Sequence, residues 1–149
     1  MPAKSFDPIL IGPITVTFSV DAEMSNGTAT LSRCDIKANA GLPLPHSHDA
    51  FEETIYGLEG TTAFLVDGEP VDVGAGDTLC IKRGQVHSFM AKDRDVSFLA
   101  VATPGVFGPD YFLEVAEVVA AAAGGPPDAE AIAQVMLRHG LTPVPQAVA

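Results

Sequence analysis

The middle of the chain is a run of short apolar stretches separated by turn residues, and this pattern restricts the fold more than any other feature. Eight strand-like stretches can be delimited: 14–23, 28–38, 53–58, 61–66, 69–73, 78–82, 86–91 and 96–103. Asp67-Gly68, between two of them, is a strong signal for a two-residue β-hairpin. Short strands joined by close turns predict an antiparallel sandwich or barrel.

The two ends of the chain differ from this middle part. Residues 1–12 are expected to form a mobile or edge-covering arm. Residues 111–123 carry an apolar face at helical spacing, and a second helix is expected between Asp128 as its N-cap and Gly140 as its stop. The length predicts one domain. We divide it into the arm (1–12), a β-barrel (13–103) and a helical extension (104–149).

Composition and charge exclude several kinds of partner. Hydrophobic residues make up 47% of the 149 residues and charged residues only 18%, which is incompatible with wholesale disorder. The formal net charge of −11 repels nucleic acid and anionic membranes, so a small-molecule ligand is favoured. No apolar run approaches the roughly 20 residues that span a bilayer, and the N-terminus lacks a secretory signal pattern. We therefore expect a cytoplasmic protein.

His46-Ser47-His48 is the sharpest chemical signal in the chain. In an extended segment, side chains two residues apart lie on the same face, so both imidazoles can reach one metal ion. Glu53 opens the next predicted strand, and His87 lies in a later one. Three imidazoles and one carboxylate suit one divalent transition metal such as Fe, Ni, Mn, Co, Cu or Zn. With four protein ligands, an octahedral ion keeps two positions open for water, dioxygen or substrate.

Histidine and cysteine residues more often have structural roles than chemical ones. A structural explanation must here account for a paired HxH, a nearby glutamate and a third histidine, so metal ligation is favoured. The fourth histidine, His139, ends the last predicted helix and is assigned to helix capping or to the helix dipole. Cys34 and Cys80 lack a CxxC spacing and lie in strand-like stretches, so buried free thiols are expected, with a disulfide left open.

The pattern resembles the two sequence motifs of the cupin superfamily. GLPLPHSHDAFEETIYGLEG (41–60) matches the first: a glycine, HxH, three or four residues, a glutamate, six residues and a glycine. GDTLCIKRGQVHSFMA (76–91) matches the second. The resemblance implies a mainly β fold, the cupin double-stranded β-helix or jelly-roll barrel, with two C-terminal α-helices. It implies that one metal is bound by His46, His48, Glu53 and His87.

The resemblance decides between two neighbouring glutamates. Glu52 and Glu53 both fit the gap after His48, but only Glu53 keeps six residues to the closing glycine. Glu52 is then expected to point the other way. Lys82 and Ala91 stand where the second motif has proline and asparagine. Neither position is a predicted ligand, so the expected metal site is complete. The departures bear only on which activity of the cupin superfamily the chain would share.

Residues beyond the four ligands give weaker signals. Strand parity places Phe89 on the face of His87, where it could wall a pocket, and Tyr56 on the outside. Arg33 could meet an anionic substrate or pair with Asp35, and the structural pairing is favoured. Three further apolar residues are expected in the core: Phe64, Phe98 and Leu99.

The resemblance implies a metal-dependent enzyme, most similar to a quercetinase-like dioxygenase that acts on an enolic or aromatic substrate. Glu53 would deprotonate the substrate hydroxyl, and a flat, apolar small molecule would fill the cavity. Two alternatives stay open: a non-oxidative isomerase or lyase, and a non-catalytic ligand-binding cupin. The C-terminal helices would cap a barrel end or form a dimer interface. Cupins of this size are often homodimers, so a homodimer is expected.

Overall fold

The computed structural model describes residues 2–42 and 44–145, and it contains two β-sheets followed by two helices. The elements are β1 (Ile9–Ile11), β2 (Ile14–Val20), β3 (Thr30–Ile36), β4 (His46–His48), β5 (Glu52–Glu59), β6 (Thr62–Val66), β7 (Glu69–Val73), β8 (Thr78–Ile81), β9 (His87–Ala91), β10 (Val96–Thr103), α1 (Pro109–Ala121), α2 (Ala129–Arg138) and β11 (Leu141–Pro143).

Strands distant in sequence are neighbours in both sheets. The order is β1-β2-β3-β10-β5-β8 in the six-stranded sheet and β11-β4-β9-β6-β7 in the five-stranded sheet. The strand pairs in the described part of the chain are antiparallel. This architecture confirms the predicted mainly β jelly-roll barrel with two C-terminal helices.

The inner faces of the sheets form the core because apolar residues alternate with polar ones along the strands. In β2, Ile14, Val16 and Phe18 are buried, and the threonine residues between them are partly exposed. The six-stranded sheet contributes Ile55 and Ile81, both with no exposed surface, and the five-stranded sheet contributes Phe64. Residues from both sheets and both helices join one cluster of buried side chains.

The turn at Asp67-Gly68 forms the predicted two-residue hairpin. Val66 pairs with Glu69, and the two residues between them have φ angles of 49° and 82°. Two successive positive φ angles characterise a type I′ turn, whose twist matches that of the flanking strands. The Asp67 carboxylate also accepts a hydrogen bond from the Val86 amide at 2.9 Å. The hairpin therefore fixes the segment that leads into His87.

Three short strands were not predicted as such. β1 lies within the N-terminal arm and pairs with β2, so this part of the arm covers a sheet edge. β4 pairs with both β9 and β11, and each of β1, β4 and β11 has only three residues. Segments this short carry too few residues to show a period of two. Their extended form is decided by the neighbouring strands.

The helices pack on strands of their own chain. Asp128 caps α2, since its carboxylate accepts hydrogen bonds from the amides of Glu130 and Ala131 at 3.0 and 3.1 Å. The apolar face of α2 is buried: Ile132, Val135 and Met136. α1 packs against β1, and α2 packs against β11 and α1. Of the two roles expected for the helices, the structure thus supports the capping of the barrel.

The two cysteines have different environments. Both are free; Cys34 is buried and Cys80 is exposed. The expectation of a buried thiol therefore holds for Cys34 and is wrong for Cys80, which lies on the outer face of the edge strand β8. Burial raises the pKa of the Cys34 thiol far above its usual range, and the nearby Glu53 adds to the shift.

Among the described residues, no helix is both long enough and apolar enough to cross a membrane. The cytoplasmic location stays a prediction. The same holds for the division of the chain into one domain with three parts.

Candidate metal centre

Three histidines from two strands meet inside the barrel. His46 and His48 stand at the two ends of β4, and His46 pairs directly with His87, the first residue of β9. The turn before His87 is held to the same strand, because the Gly84 amide donates a hydrogen bond to the His48 carbonyl at 2.8 Å. Strand pairing and this turn therefore bring the two predicted motifs together.

The three imidazoles converge closely. One ring nitrogen from each lies within 4.8 Å of the corresponding nitrogens of the other two. The ring centroids of His48 and His87 are 4.5 Å apart, and those of His46 and His87 are 4.7 Å apart. The three side chains are almost completely buried, with at most 4% of their surface exposed. A single ion between them could contact all three rings.

The hydrogen bonds of two imidazoles fix their tautomers. His46 Nδ1 lies 3.2 Å from the Leu44 carbonyl oxygen, and His87 Nδ1 lies 3.0 Å from the Gln85 carbonyl oxygen. A carbonyl only accepts, so each Nδ1 carries the hydrogen. Each Nε2 then keeps a lone pair. Metal-binding histidines are usually oriented by this kind of bond to a backbone carbonyl.

The surroundings of His48 indicate whether the site suits a metal ion. Its ring has no exposed surface and stacks on Phe51 with centroids 4.2 Å apart. Both of its ring nitrogens are enclosed and lack a hydrogen-bond partner among the described residues. An unsatisfied buried polar group costs about 1–3 kcal/mol, and proteins usually avoid this cost. A metal ion at this cluster would coordinate one of the two nitrogens, so the three histidines fit a bound metal ion.

The imidazoles are held in their neutral form. Burial lowers the pKa of His46 to about 3 and that of His48 to about 2, and the neighbouring His87 adds to both shifts. Burial also lowers the pKa of His87. Neutral imidazole is the form that binds a metal, so these groups are ready as ligands without releasing a proton.

Glu53 faces the same cavity from the opposite sheet. It lines the cavity together with His46 and His87, but its carboxylate lies outside the group of donor atoms that are within 4.8 Å of one another. Burial raises the pKa of Glu53 to about 7. The structure therefore brings the three histidines together and places the predicted fourth ligand beside them. Its coordination of the metal stays a prediction.

The competing glutamate points away from this cavity. Glu52 accepts two hydrogen bonds from the guanidinium of Arg83, at 2.7 and 2.8 Å, and one from the Arg83 amide at 2.9 Å. These bonds lower the pKa of Glu52 to about 2. Glu52 is thus part of a surface ion pair and does not line the cavity.

Other polar residues considered as site candidates lie elsewhere. Arg33 pairs with Asp35 at 3.1 Å, as favoured from the sequence. His139 is the C-cap residue of α2, and its side chain pairs with Glu114 of α1. Tyr56 is 45% exposed on the outer face of its sheet. None of these side chains lines the cavity that contains Glu53.

The cavity beside the histidines encloses about 70 Å³ and is mostly apolar. Phe89 lines it as predicted, and Phe98 is both a core residue and a cavity wall. Leu99, predicted to be core, is only partly buried. Four lining residues come from the loop after β10 and from α1: Phe107, Tyr111, Phe112 and Val115. Because they lie outside the barrel strands, the alternation of side chains along a strand could not predict them. The available sequence signals were the apolar face predicted for 111–123 and the aromatic residues close together at 107, 111 and 112.

Comparison with known proteins gives the same picture. The model of the family described as "Cupin domain" matches residues 32–102, which include the four predicted ligands. Quercetin 2,3-dioxygenase from Bacillus subtilis (strain 168) is 33% identical over 66 residues, which are 44% of this chain and 20% of that protein. The aligned segment thus spans about a fifth of that relative.

Solved structures share the fold. A predicted oxalate decarboxylase from Thermotoga maritima superposes with a TM-score of 0.62 and 25% identity, over 70% of this chain and 99% of that one. The polyketide cyclase RemF from Streptomyces resistomycificus has a TM-score of 0.58 and 24% identity, over 76% of this chain and 89% of that one. The family match over residues 32–102, together with the two antiparallel sheets, shows that the chain contains a cupin domain.

Proposed function

We propose that this cupin is a metal-dependent enzyme of the dioxygenase type, acting on a compact enolic substrate. The observation that carries the proposal is the convergence of three neutral, buried imidazoles, one of which has no other partner for its ring nitrogens. In this proposal, His46, His48 and His87 hold one divalent transition metal, with Glu53 as the fourth ligand. The identity of the metal is left to experiment, because the same donor set serves several ions.

The cavity walls favour an uncharged or singly charged substrate with a flat apolar body. Among the described residues that line it, there is no lysine or arginine, and Glu53 is the only acid. A dicarboxylate such as oxalate would meet no cationic side chain there. The volume of about 70 Å³ favours a 1,3-diketone or a single ring over a flavonol with several rings.

In the proposed reaction, the bound metal and the protein side chains have different roles. When bound, the metal would supply Lewis acidity and a path for electrons between an enolate and dioxygen. Glu53, which would be ionised as a metal ligand, lines the cavity, where its carboxylate would take the proton of an enolic hydroxyl. The aromatic walls, among them Phe89 and Phe107, would hold the substrate plane and exclude bulk water.

Non-oxidative catalysis is the second candidate. It is favoured by two of the similar structures, which are described as a predicted oxalate decarboxylase and as a polyketide cyclase. The same three histidines could hold an ion that polarises a carbonyl group without any redox change. A cupin that binds its ligand without turnover is the third candidate.

Oxygen uptake separates these candidates. We expect the iron- or nickel-loaded protein to consume dioxygen with pentane-2,4-dione, more slowly with 3-hydroxyflavone, and at the background rate after chelation of the metal. Turnover by zinc-loaded protein under argon would instead support the non-oxidative enzyme. Thermal stabilisation by the diketone without any turnover, under air or argon, would support the binding protein and contradict both enzymatic proposals.

We also propose that the chain forms a homodimer through the outer face of the five-stranded sheet. Leu65 and Met90 lie there with 46% and 47% of their surface exposed, beside a groove that Leu42, Ala63 and Pro70 line. Apolar side chains gathered on one sheet face favour contact with a second copy. Light scattering should give twice the 15.5 kDa mass of the chain.

A charged substitution tests this face. Leu65→Lys should shift the mass toward one chain, whereas Leu137→Lys, at a side chain of α2 that is 55% exposed, should leave it unchanged. A native mass of one chain at all protein concentrations would contradict the proposed dimer.

A further inference from the structure

Two hydroxyl groups lie in the cavity wall besides the ionisable groups. Ser32 of β3 and Tyr111 of α1 are 7% and 6% exposed, and both line the cavity with Glu53. Neither hydroxyl makes a hydrogen bond to another residue in the described part of the chain. The cavity therefore contains two polar groups that the fold itself does not use.

Both hydroxyls border open space. Among the described residues, the enclosed side-chain polar atoms without a partner are the two nitrogens of His48 alone. The oxygens of Ser32 and Tyr111 also lack partners but are not in that group, so each keeps some accessible surface. Both residues are almost completely buried, and the cavity is the space that both border.

A neighbouring buried hydroxyl group is satisfied within the fold. The hydroxyl of Thr30, two residues before Ser32 on the same face of β3, donates a hydrogen bond to the Phe107 carbonyl at 2.8 Å. Buried tyrosine hydroxyls normally find a partner as well. A phenol without one, in a cavity beside the metal cluster, is a donor that is available to a ligand.

The ring of Tyr111 is held in place independently of its hydroxyl. It packs against Phe107 and Phe112 with centroids 5.1 and 5.0 Å away, and Phe107 in turn packs against Phe51 and His48. Burial and the nearby Glu53 charge raise the pKa of Tyr111, which keeps the phenol protonated. The aromatic contacts therefore fix a hydrogen-bond donor at the cavity wall.

We propose that Ser32 and Tyr111 bind an oxygen atom of the substrate that the metal does not hold, and thereby select ligands that carry a second, distal oxygen. The inference rests on the proposed function, because it assigns the metal to the enolic end of the ligand. It names the substrate class more closely: compact, without a second charge, and bearing a hydroxyl or carbonyl group away from the enol. Tyr111 is a specificity-determining residue in this proposal.

Two pyrones that differ by one hydroxyl provide the test. Kojic acid and allomaltol present the same enolic chelating pair, and only kojic acid carries a hydroxyl group on its side chain. Calorimetry with the zinc-loaded protein should show that kojic acid binds roughly three- to tenfold more tightly, as expected for one additional hydrogen bond. Tyr111→Phe keeps the packed ring and should reduce this preference to about one, and Ser32→Ala should reduce it in part.

The controls separate a lost hydrogen bond from a damaged fold. Tyr56→Phe, at the other tyrosine of the chain, should leave the preference unchanged. Allomaltol affinity, metal content and unfolding temperature should be equal in the native protein and in Tyr111→Phe. If both pyrones bind but the preference is absent, or survives in both variants, this inference is wrong and the proposed function stands. If neither pyrone binds to the metal-loaded protein, both this inference and the proposed function are wrong.

Discussion

Replacing His48 with leucine is expected to abolish metal binding while the metal-free protein stays at least as stable as the native metal-free chain. His48 has no exposed surface, and both of its ring nitrogens lack a partner. Leucine removes these unsatisfied atoms, which cost about 1–3 kcal/mol, and fills a similar volume against Phe51. For a chain of this length, each kcal/mol gained raises the unfolding temperature by about 2–4 °C.

The loss of metal affinity should exceed about 100-fold. A change to a group that only orients a ligand already costs 10- to 100-fold, and His48→Leu removes the ligand itself. Elemental analysis after purification should give one metal per native chain and none per variant chain. Added metal should raise the unfolding temperature of the native protein only.

The fourth histidine supplies the control. His139→Gln changes a residue that pairs with Glu114 at the end of α2, away from the cluster. This variant should keep its metal. A His48→Leu protein that retains one metal per chain would contradict the three-histidine site. Equal metal loss in His139→Gln would show that the metal is bound elsewhere.

Replacing Glu53 with glutamine is expected to remove the proton that metal binding releases at pH 6. The pKa of Glu53 is about 7, so about nine in ten of these carboxyls are protonated at pH 6. Coordination requires the carboxylate, whereas the imidazoles are already neutral and release nothing. The native protein should thus release about 0.9 proton per metal at pH 6 and about 0.1 at pH 8.

Calorimetry in buffers with different ionisation enthalpies measures this release. Glu53→Gln should release almost none at either pH, and its turnover should fall by about 10²- to 10⁴-fold if Glu53 is the general base. Glu52→Gln is the matched control, because Glu52 pairs with Arg83 outside the cavity. No proton release from the native protein would show that Glu53 stays outside the coordination sphere.

The same substitution should change how the stability of the metal-free protein depends on pH. The pKa of Glu53 is raised from 4.5 in the unfolded chain to about 7 in the fold, so the native state binds the proton more tightly. Its contribution is unfavourable at high pH and disappears below pH 4.5; stability is lost as pH rises from 4.5 to 7, by about 3 kcal/mol in all. The stability difference between native protein and Glu53→Gln should follow this curve.

The sequence by itself determined the local part of this site. The spacing of His46 and His48 places both imidazoles on one face of an extended segment, whatever surrounds it. The alternation along strands such as β2 defines the inner face of the barrel, and Asp67-Gly68 defines a hairpin, since both depend on residues close together in the chain. The match of the spacings to both cupin motifs then indicated that His87 joins the pair.

Only the tertiary structure decided what depends on pairing between distant strands. β4 is extended because β9 and β11 pair with it, and this pairing sets the 4.8 Å approach of the three imidazoles. The position of the Glu53 carboxylate, in the same cavity but outside the 4.8 Å group, follows from how the two sheets face each other, and sequence spacing does not determine this. Tyr111 enters the cavity from a helix that folds back over the barrel, because burial of its apolar face against the barrel, rather than any local pattern, fixes where that helix lies.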